Sequence, residues 1–275
     1  MRILTRPRLI AGATLLLALL GASHYLGSAR ADDPAANTTA AGGLRPAPAT
    51  QASDLVTGDG AQPQTIEELL TAVTTDVDAY WTNVFEASGR STPRVGYAWI
   101  PAGQTVASAC GDENHPLGDT AAAYCPGDDT IYISQQFAGD IYDGSLDHTL
   151  PGSSQGYGRT YGDFAVAYIV AHEYGHQIQD ELGLFESYGD RLPTMAFELQ
   201  ADCFAGSWAH SAYEENRLED GDVQEALDAA LAVGDFDAGA PGHHGTPEQR
   251  EEAWRAGFDS ADPSSCDRYL EPTAA

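Results

Sequence analysis

His172, Glu173, Tyr174, Gly175 and His176 form an HExxH sequence. On an α-helix, two histidines at i and i+4 lie about 40° apart around the axis and roughly 6 Å along it, so both imidazoles reach one ion. Glu173 flanks that ion without binding it; a carboxylate so placed takes a proton from water activated by zinc and passes it to a leaving amine. A purely structural zinc site closes its fourth position with protein and has no use for such a carboxylate, so the motif points to hydrolysis. One helix cannot complete the site. Asp180 continues the same face but lies roughly 12 Å from His172 along the axis, too far to share one tetrahedral ion. The longer HExxHxxGxxH pattern also fails, with Gln179 where it needs Gly and Leu182 where it needs His. A third ligand has to come from another element.

The stretch 164–171 is uninterruptedly nonpolar, and Ile178 and Leu182 continue the pattern up to Gly183, which suits a helix C′ position. Val166, Ile169 and Val170 would also suit a buried strand, but the length of the run without a breaker favours a helix, and one apolar on all sides is a buried one. Gly175 then has two readings: it admits a neighbouring backbone, or it is tolerated at a cost of roughly 1 kcal/mol against Ala. A second helix is expected over 194–216, after a turn-like 186–193, and it carries Glu198 and Asp202 at i and i+4. One reading gives Glu198 to a His2Glu zinc shell and lets Asp202 accept the free ring N–H of a zinc histidine. The other treats both as solvated acids in a chain that has 41 of them. The flanking Phe197, Leu199, Ala201, Phe204 and Ala205 argue for a buried helix, where carboxylates need partners.

HEYGHQIQ with ELQADCFAG, YCPGDDTIYIS before them and HGTPEQREEAWRAGF and SSCD after them, resembles the bacterial neutral zinc metallopeptidase family. More distantly it is similar to the gluzincins, in which HExxH is joined by ExxxD on a following helix. The resemblance runs from about Thr65 to Leu270. It implies His172, His176 and Glu198 as zinc ligands, Glu173 as the catalytic carboxylate and Asp202 as support for a ligand, with no departure at these five positions. It extends through His244, Gly245 and Thr246, which makes His244 a better candidate than His243 for stabilising an oxyanion; the plainer alternative is a turn histidine bonded locally. The fold expected is α+β and zincin-like, mainly helical, with a small sheet beside the active-site helix. The cofactor expected is Zn2+, and the substrate a peptide or protein.

The N-terminus reads as an address. Arg2, Arg6 and Arg8 precede an apolar stretch from Leu9 to Ala22, and Ala29, Arg30 and Ala31 give an AxA cleavage pattern, so residues 1–31 are expected to be a secretory signal or, if uncleaved, a membrane anchor. No Cys lies nearby for lipidation, and Pro7 separates Arg6 from Arg8, so there is no twin arginine. The stretch 32–64, rich in Ala, Thr, Pro, Gly and Asp, reads as a disordered linker, and 65–271 as the zinc metallopeptidase domain. The chain has no Lys; residues 1–31 take four of its 13 basic residues and none of its 41 acids, which leaves a formal charge of −32. Such a field opposes nucleic acid and anionic membrane and favours cationic substrates, although solubility and adaptation to salt are its commoner meanings. Four cysteines in an exported chain suggest two disulfides, for which three connectivities are open. The pairing expected is Cys110 with Cys125 and Cys203 with Cys266, against the alternative that Cys203 ligates zinc, where an exported thiolate would be exposed to oxidation.

The remaining stretches supply the frame. Apolar residues at helical spacing predict a helix over 66–85, strand composition appears at 95–100 and 130–137, and 140–160 reads as a loop or rim. The 130–137 strand is either an edge available for a substrate backbone or an interior core strand. Thr246, Pro247 and Gln249 form a capping box with Pro at N1, so a helix begins there. His115, His148 and His210 have no partners at ligand spacing. A rival from another class is a zinc-binding envelope protein that recognises a protein partner without cleaving it; a third is an anchored assembly factor using the acidic surface.

Overall fold

A computed structural model describes residues 44, 63, 65–111, 116–189 and 191–271. The expected signal and most of the expected linker lie outside the described residues. Leu44, within that linker stretch, is buried against the main core.

Helix α1, Ile66–Ala87, starts where the Thr65 hydroxyl accepts the Glu68 N–H, with Glu67 and Glu68 in the first turn. It buries Leu70, Val73, Val77, Trp81 and Val84, the stripe its spacing requires. Three strands follow: β1, Gly96–Ile100; β2, Ala122–Cys125; and β3, Thr130–Ser134. They form a mixed sheet in the order β1-β3-β2, with β1 parallel and β2 antiparallel to β3. The strand expected over 130–137 stops at Ser134, whose hydroxyl accepts the N–H groups of Gln136 and Phe137 and caps α2, Gln135–Tyr142. Since β3 is central, the interior reading of that strand is the one observed, and its Ile131 and Ile133 face the core. The edge strand beside the candidate site is β2, whose Ala-Ala-Tyr-Cys is too short to show alternation.

Helix α3, Asp163–Glu181, buries every residue from Phe164 to Gln179 and ends at Leu182, with Gly183 left-handed at φ +67. The turn expected after it is in part a short helix, α4, Leu184–Tyr188. Helix α5, Thr194–Glu214, crosses α3 closely, because a Cβ on Gly175 would sit 3.0 Å from both the Cα and the carbonyl oxygen of Ala201. Close approach is therefore what Gly175 provides. Helix α6, Asp222–Val233, has no counterpart among the expected elements; α7, Pro247–Ser260, begins with the expected capping box, and a 3-10 helix runs over Pro263–Leu270. Among the described residues no helix is long and apolar enough to cross a membrane.

Helices α5 and α7 touch through glycine. A Cβ on Gly257 would fall 1.9 Å from the Cys203 carbonyl oxygen, and one on Gly206 2.0 Å from that of Trp254. Gly257→Ala is therefore expected to force the helices apart and cost about 1–3 kcal/mol, checked by urea unfolding. An unchanged midpoint would mean that the two backbones are not in contact. The cysteines pair as Cys110–Cys125 and Cys203–Cys266, the latter fastening the 3-10 helix to α5. Two disulfides suggest an extracytoplasmic protein.

Candidate metal centre

Where α3 and α5 cross, His172, His176 and Glu198 bring one ligand atom each within 4.8 Å of one another. His172 Nε2 lies 3.3 Å from Glu198 Oε2, and His176 Nε2 lies 3.4 Å from Glu198 Oε1. The other ring nitrogens are already engaged. His172 Nδ1 is 2.9 Å from Asp202 Oδ1, and His176 Nδ1 is 2.9 Å from Gln179 Oε1. With Nδ1–H donating in both rings, both Nε2 atoms are turned toward Glu198, where each would offer its lone pair to a bound cation. Gln179 is fixed in turn, its amide donating to the Phe197 carbonyl at 2.7 Å and to Gln200 at 3.1 Å.

Asp202, fully buried, is saturated as an acceptor. Its Oδ1 receives the Tyr168 hydroxyl at 2.7 Å, His172, and Arg250 Nη2 at 2.9 Å, and its Oδ2 receives Arg250 Nε at 2.8 Å. Burial alone would raise its carboxyl, but Arg250 and then His172 outweigh it and hold the group below the usual range. Burial likewise opposes the charge on Glu198, and His176 and His172 keep it well below the usual range. Burial would lower the His172 imidazole, yet Asp202 raises it to about 9.

These residues fit a divalent cation on two observations. Glu198 Oε1 is buried and has no hydrogen-bond partner, an arrangement that costs about 1–3 kcal/mol unless something binds there. Glu198 and Asp202 are both set against the buried guanidinium of Arg250, and Glu173 is a third buried acid on the same pocket. Two imidazoles and a carboxylate are a zinc donor set with a position left for substrate.

Glu173 stands beside this set. Its Oε2 accepts the backbone N–H of Tyr124 on β2 at 2.9 Å. The pocket is lined further by Ala122, Ala123, Ile169, Val233, His244 and Arg250. His244 arrives there because Asp235 accepts its backbone N–H at 2.8 Å and the His243 ring on its other oxygen. His243 is a buried turn histidine bonded locally, and the His244 ring also keeps its Nδ1 3.5 Å from Asp235 Oδ2. Asp180 serves β2, accepting the Tyr124 hydroxyl at 2.9 Å. His210 lies on α5, His148 is exposed, and His115 lies outside the described residues.

Sequence reasoning overlooked Arg250, Tyr168 and Gln179. Arg250 reads as one more charge in EQREEAWR, but it shares a face with Ala253, Trp254 and Gly257, all buried, and that apolar spacing was the available signal. Tyr168 precedes His172 by one helical turn, inside the nonpolar run. A second group of acids, Asp163, Asp222 and Glu225, meets at the N-termini of α3 and α6. Backbone N–H groups of Glu219 and Phe164 donate to Asp222 and Glu225, so the helix ends account for this cluster.

A buried His-His-Glu group on two crossing helices, next to a small mixed sheet in a mainly helical domain, defines a zincin-like protein. Residues 9–269 match the family described as "Putative neutral zinc metallopeptidase", and the chain belongs to that family. It is similar to "Uncharacterized protein YpfJ" of Escherichia coli K12, 38% identical over 166 residues that make up 53% of this chain and 53% of that protein. It is also similar to "Uncharacterized protein Rv2575" of Mycobacterium tuberculosis H37Rv, 33% identical over 217 residues, 70% of this chain and 67% of that one. The chain spans about half the length of the Escherichia coli relative. No solved structure matches it.

Proposed function

We propose that this chain is an exported zinc-dependent peptidase, with zinc held by His172, His176 and Glu198. The observation that carries the reading is the orientation of the two histidines. Asp202 and Gln179 each take one Nδ1, so the two Nε2 atoms face the buried Glu198 carboxylate, His172 at Oε2 and His176 at Oε1, the latter without a hydrogen bond of its own. Bound there, zinc would polarise a scissile carbonyl and lower the pKa of water to about 7.

The protein groups divide the remaining work. Glu173, held by the Tyr124 N–H, takes the proton from the attacking water and delivers it to the leaving amine. His244, on the wall of the same pocket, donates to the oxyanion as the carbonyl becomes tetrahedral. The substrate is a peptide or protein segment whose backbone adds to the edge of β2, the strand that lines the pocket through Ala122 and Ala123. Residues 1–31 would direct export as a cleaved signal or hold the domain at a membrane as an anchor.

The test is zinc stoichiometry measured together with cleavage of a peptide library. One zinc per chain and turnover abolished by a chelator and restored by zinc are expected. Stoichiometric zinc with no cleavage of any peptide would instead favour the non-catalytic partner-binding reading.

A further inference from the structure

The sheet has two faces, and only one is supported by the main core. On the other, Ile100, Ala121, Cys125 and Tyr132 are covered by the connection between β1 and β2, which contributes Val106, Cys110 and Leu117. That cover is thin. It is held by the Val106–Leu117 bridge, by the Ala109 N–H donating to Asp128 at 2.8 Å, and by the Cys110–Cys125 disulfide. The described part of the connection is also tied by the Gly103 N–H donating to Asp119 at 2.7 Å, but among these ties only the disulfide is covalent. The bridge ends on Cys125, the residue after Tyr124, whose backbone N–H holds Glu173 Oε2 at 2.9 Å.

We propose that the Cys110–Cys125 disulfide is a positioning device for Glu173, and that its reduction turns hydrolysis down while the metal site and the fold persist. The inference rests on the peptidase reading for its effect on turnover, but not for its effect on β2. The two disulfides differ in exposure in the sense this requires. Cys203 and Cys266 are fully buried, whereas Cys110 is partly exposed with Cys125 at 1%. A dithiol such as dithiothreitol attacks the accessible Cys110 sulfur and the S–S bond breaks. Cys125 leaves as a thiolate and takes a proton, and the second reductant thiol then displaces the Cys110 thiol. The protein gains two electrons and two protons, and the reductant becomes its cyclic disulfide. With the bridge open, the C-terminal end of β2 keeps its pairing with β3 and the Tyr124 hydroxyl bonds to Asp129 and Asp180 but loses its covalent tether, and the Tyr124 N–H fixes the carboxylate less firmly.

The experiment compares the zinc-loaded full chain in three forms: oxidised, treated with graded dithiothreitol and alkylated so that the opened bridge is identified by mass, and as the double variant Cys110→Ala/Cys125→Ala. Cys110–Cys125 is expected to open first. In both opened forms the Tyr124 amide should exchange with deuterium at least about tenfold faster, while amides of α3 and α5 stay protected and zinc content holds. kcat/KM should fall about tenfold or more, part of what a well-placed general base supplies, and reoxidation by oxidised glutathione should restore it. Should the double variant not fold, the selectively reduced parent gives the same readings. A Tyr124 amide that stays protected when the bridge is open overturns the proposal, as does undiminished kcat/KM in an opened enzyme whose oxidised form is active. If the oxidised form binds zinc and cleaves nothing, the peptidase reading fails, and exchange at Tyr124 still decides whether the bridge positions the strand.

Discussion

Glu173→Gln is expected to bind zinc as the parent does and to cleave peptides about 100- to 10,000-fold more slowly. Glutamine has the same shape and keeps an amide oxygen for the Tyr124 N–H, so the contact that places the side chain survives. What it lacks is the capacity to accept a proton. Glu173 is outside the three-residue group that could hold a metal, so its neutralisation should leave the metal set intact. Metal analysis and a peptide cleavage assay on one preparation separate the two effects. Turnover that persists in the zinc-loaded variant would remove Glu173 from the mechanism. His244→Ala belongs in the same assay. A donor to the oxyanion acts only in the transition state, so kcat should fall about 100- to 1,000-fold with KM little changed; equal kcat in parent and variant would reduce His244 to a wall of the pocket.

The parts of this site that could be read in the sequence are those fixed by local periodicity. His172 and His176 share a face because a helix repeats every 3.6 residues, and Glu198 and Asp202 share a face of the following helix for the same reason. That α3 and α5 must cross at Gly175 and Ala201 depends on the absence of one Cβ, which the sequence showed only as an ambiguous glycine. The supports were harder to see because their signals are non-local. Arg250 is separated from Asp202 by 48 residues and lies among glutamates, and only the approach of α7 to α5 through Gly257 and Gly206 makes it a buried partner. The β2 strand, four residues long, has no periodicity to read, although its backbone holds Glu173. His243 and His244 were two adjacent candidates in the sequence, and the turn built on the Asp235 carboxylate is what tells them apart, burying the first and directing the second to the pocket wall.

Glu198→Gln and Asp202→Asn are expected to fail in opposite ways. Glu198 offers the pocket a buried oxygen without a hydrogen bond, and its charge is held against burial by the two histidines. Removing that charge removes a ligand while easing a desolvation cost, so zinc affinity should fall by more than about 100-fold, beyond the loss typical of a supporting residue. The melting temperature in EDTA should stay close to the parent's. Asp202 is the carboxylate on which Tyr168, His172 and Arg250 converge, and Arg250 is only 2% exposed. An amide there leaves the guanidinium buried without its counter-charge, which costs about 3–5 kcal/mol, so the melting temperature in EDTA should drop sharply. Zinc affinity, weakened only through the orientation of His172, should fall about 10- to 100-fold. Competition against a chromophoric chelator, on protein verified as folded, checks the order of affinities. If Asp202→Asn loses more zinc than Glu198→Gln, the two carboxylates have exchanged roles. Arg250→Met added to Asp202→Asn discriminates further. It removes the stranded charge, so stability should recover, but the amide oxygen at position 202 is only a neutral, weaker acceptor for His172 Nδ1–H, and zinc affinity should stay near where the single variant left it. Recovery of both would mean that Asp202 acts by neutralising Arg250 and not by orienting the histidine.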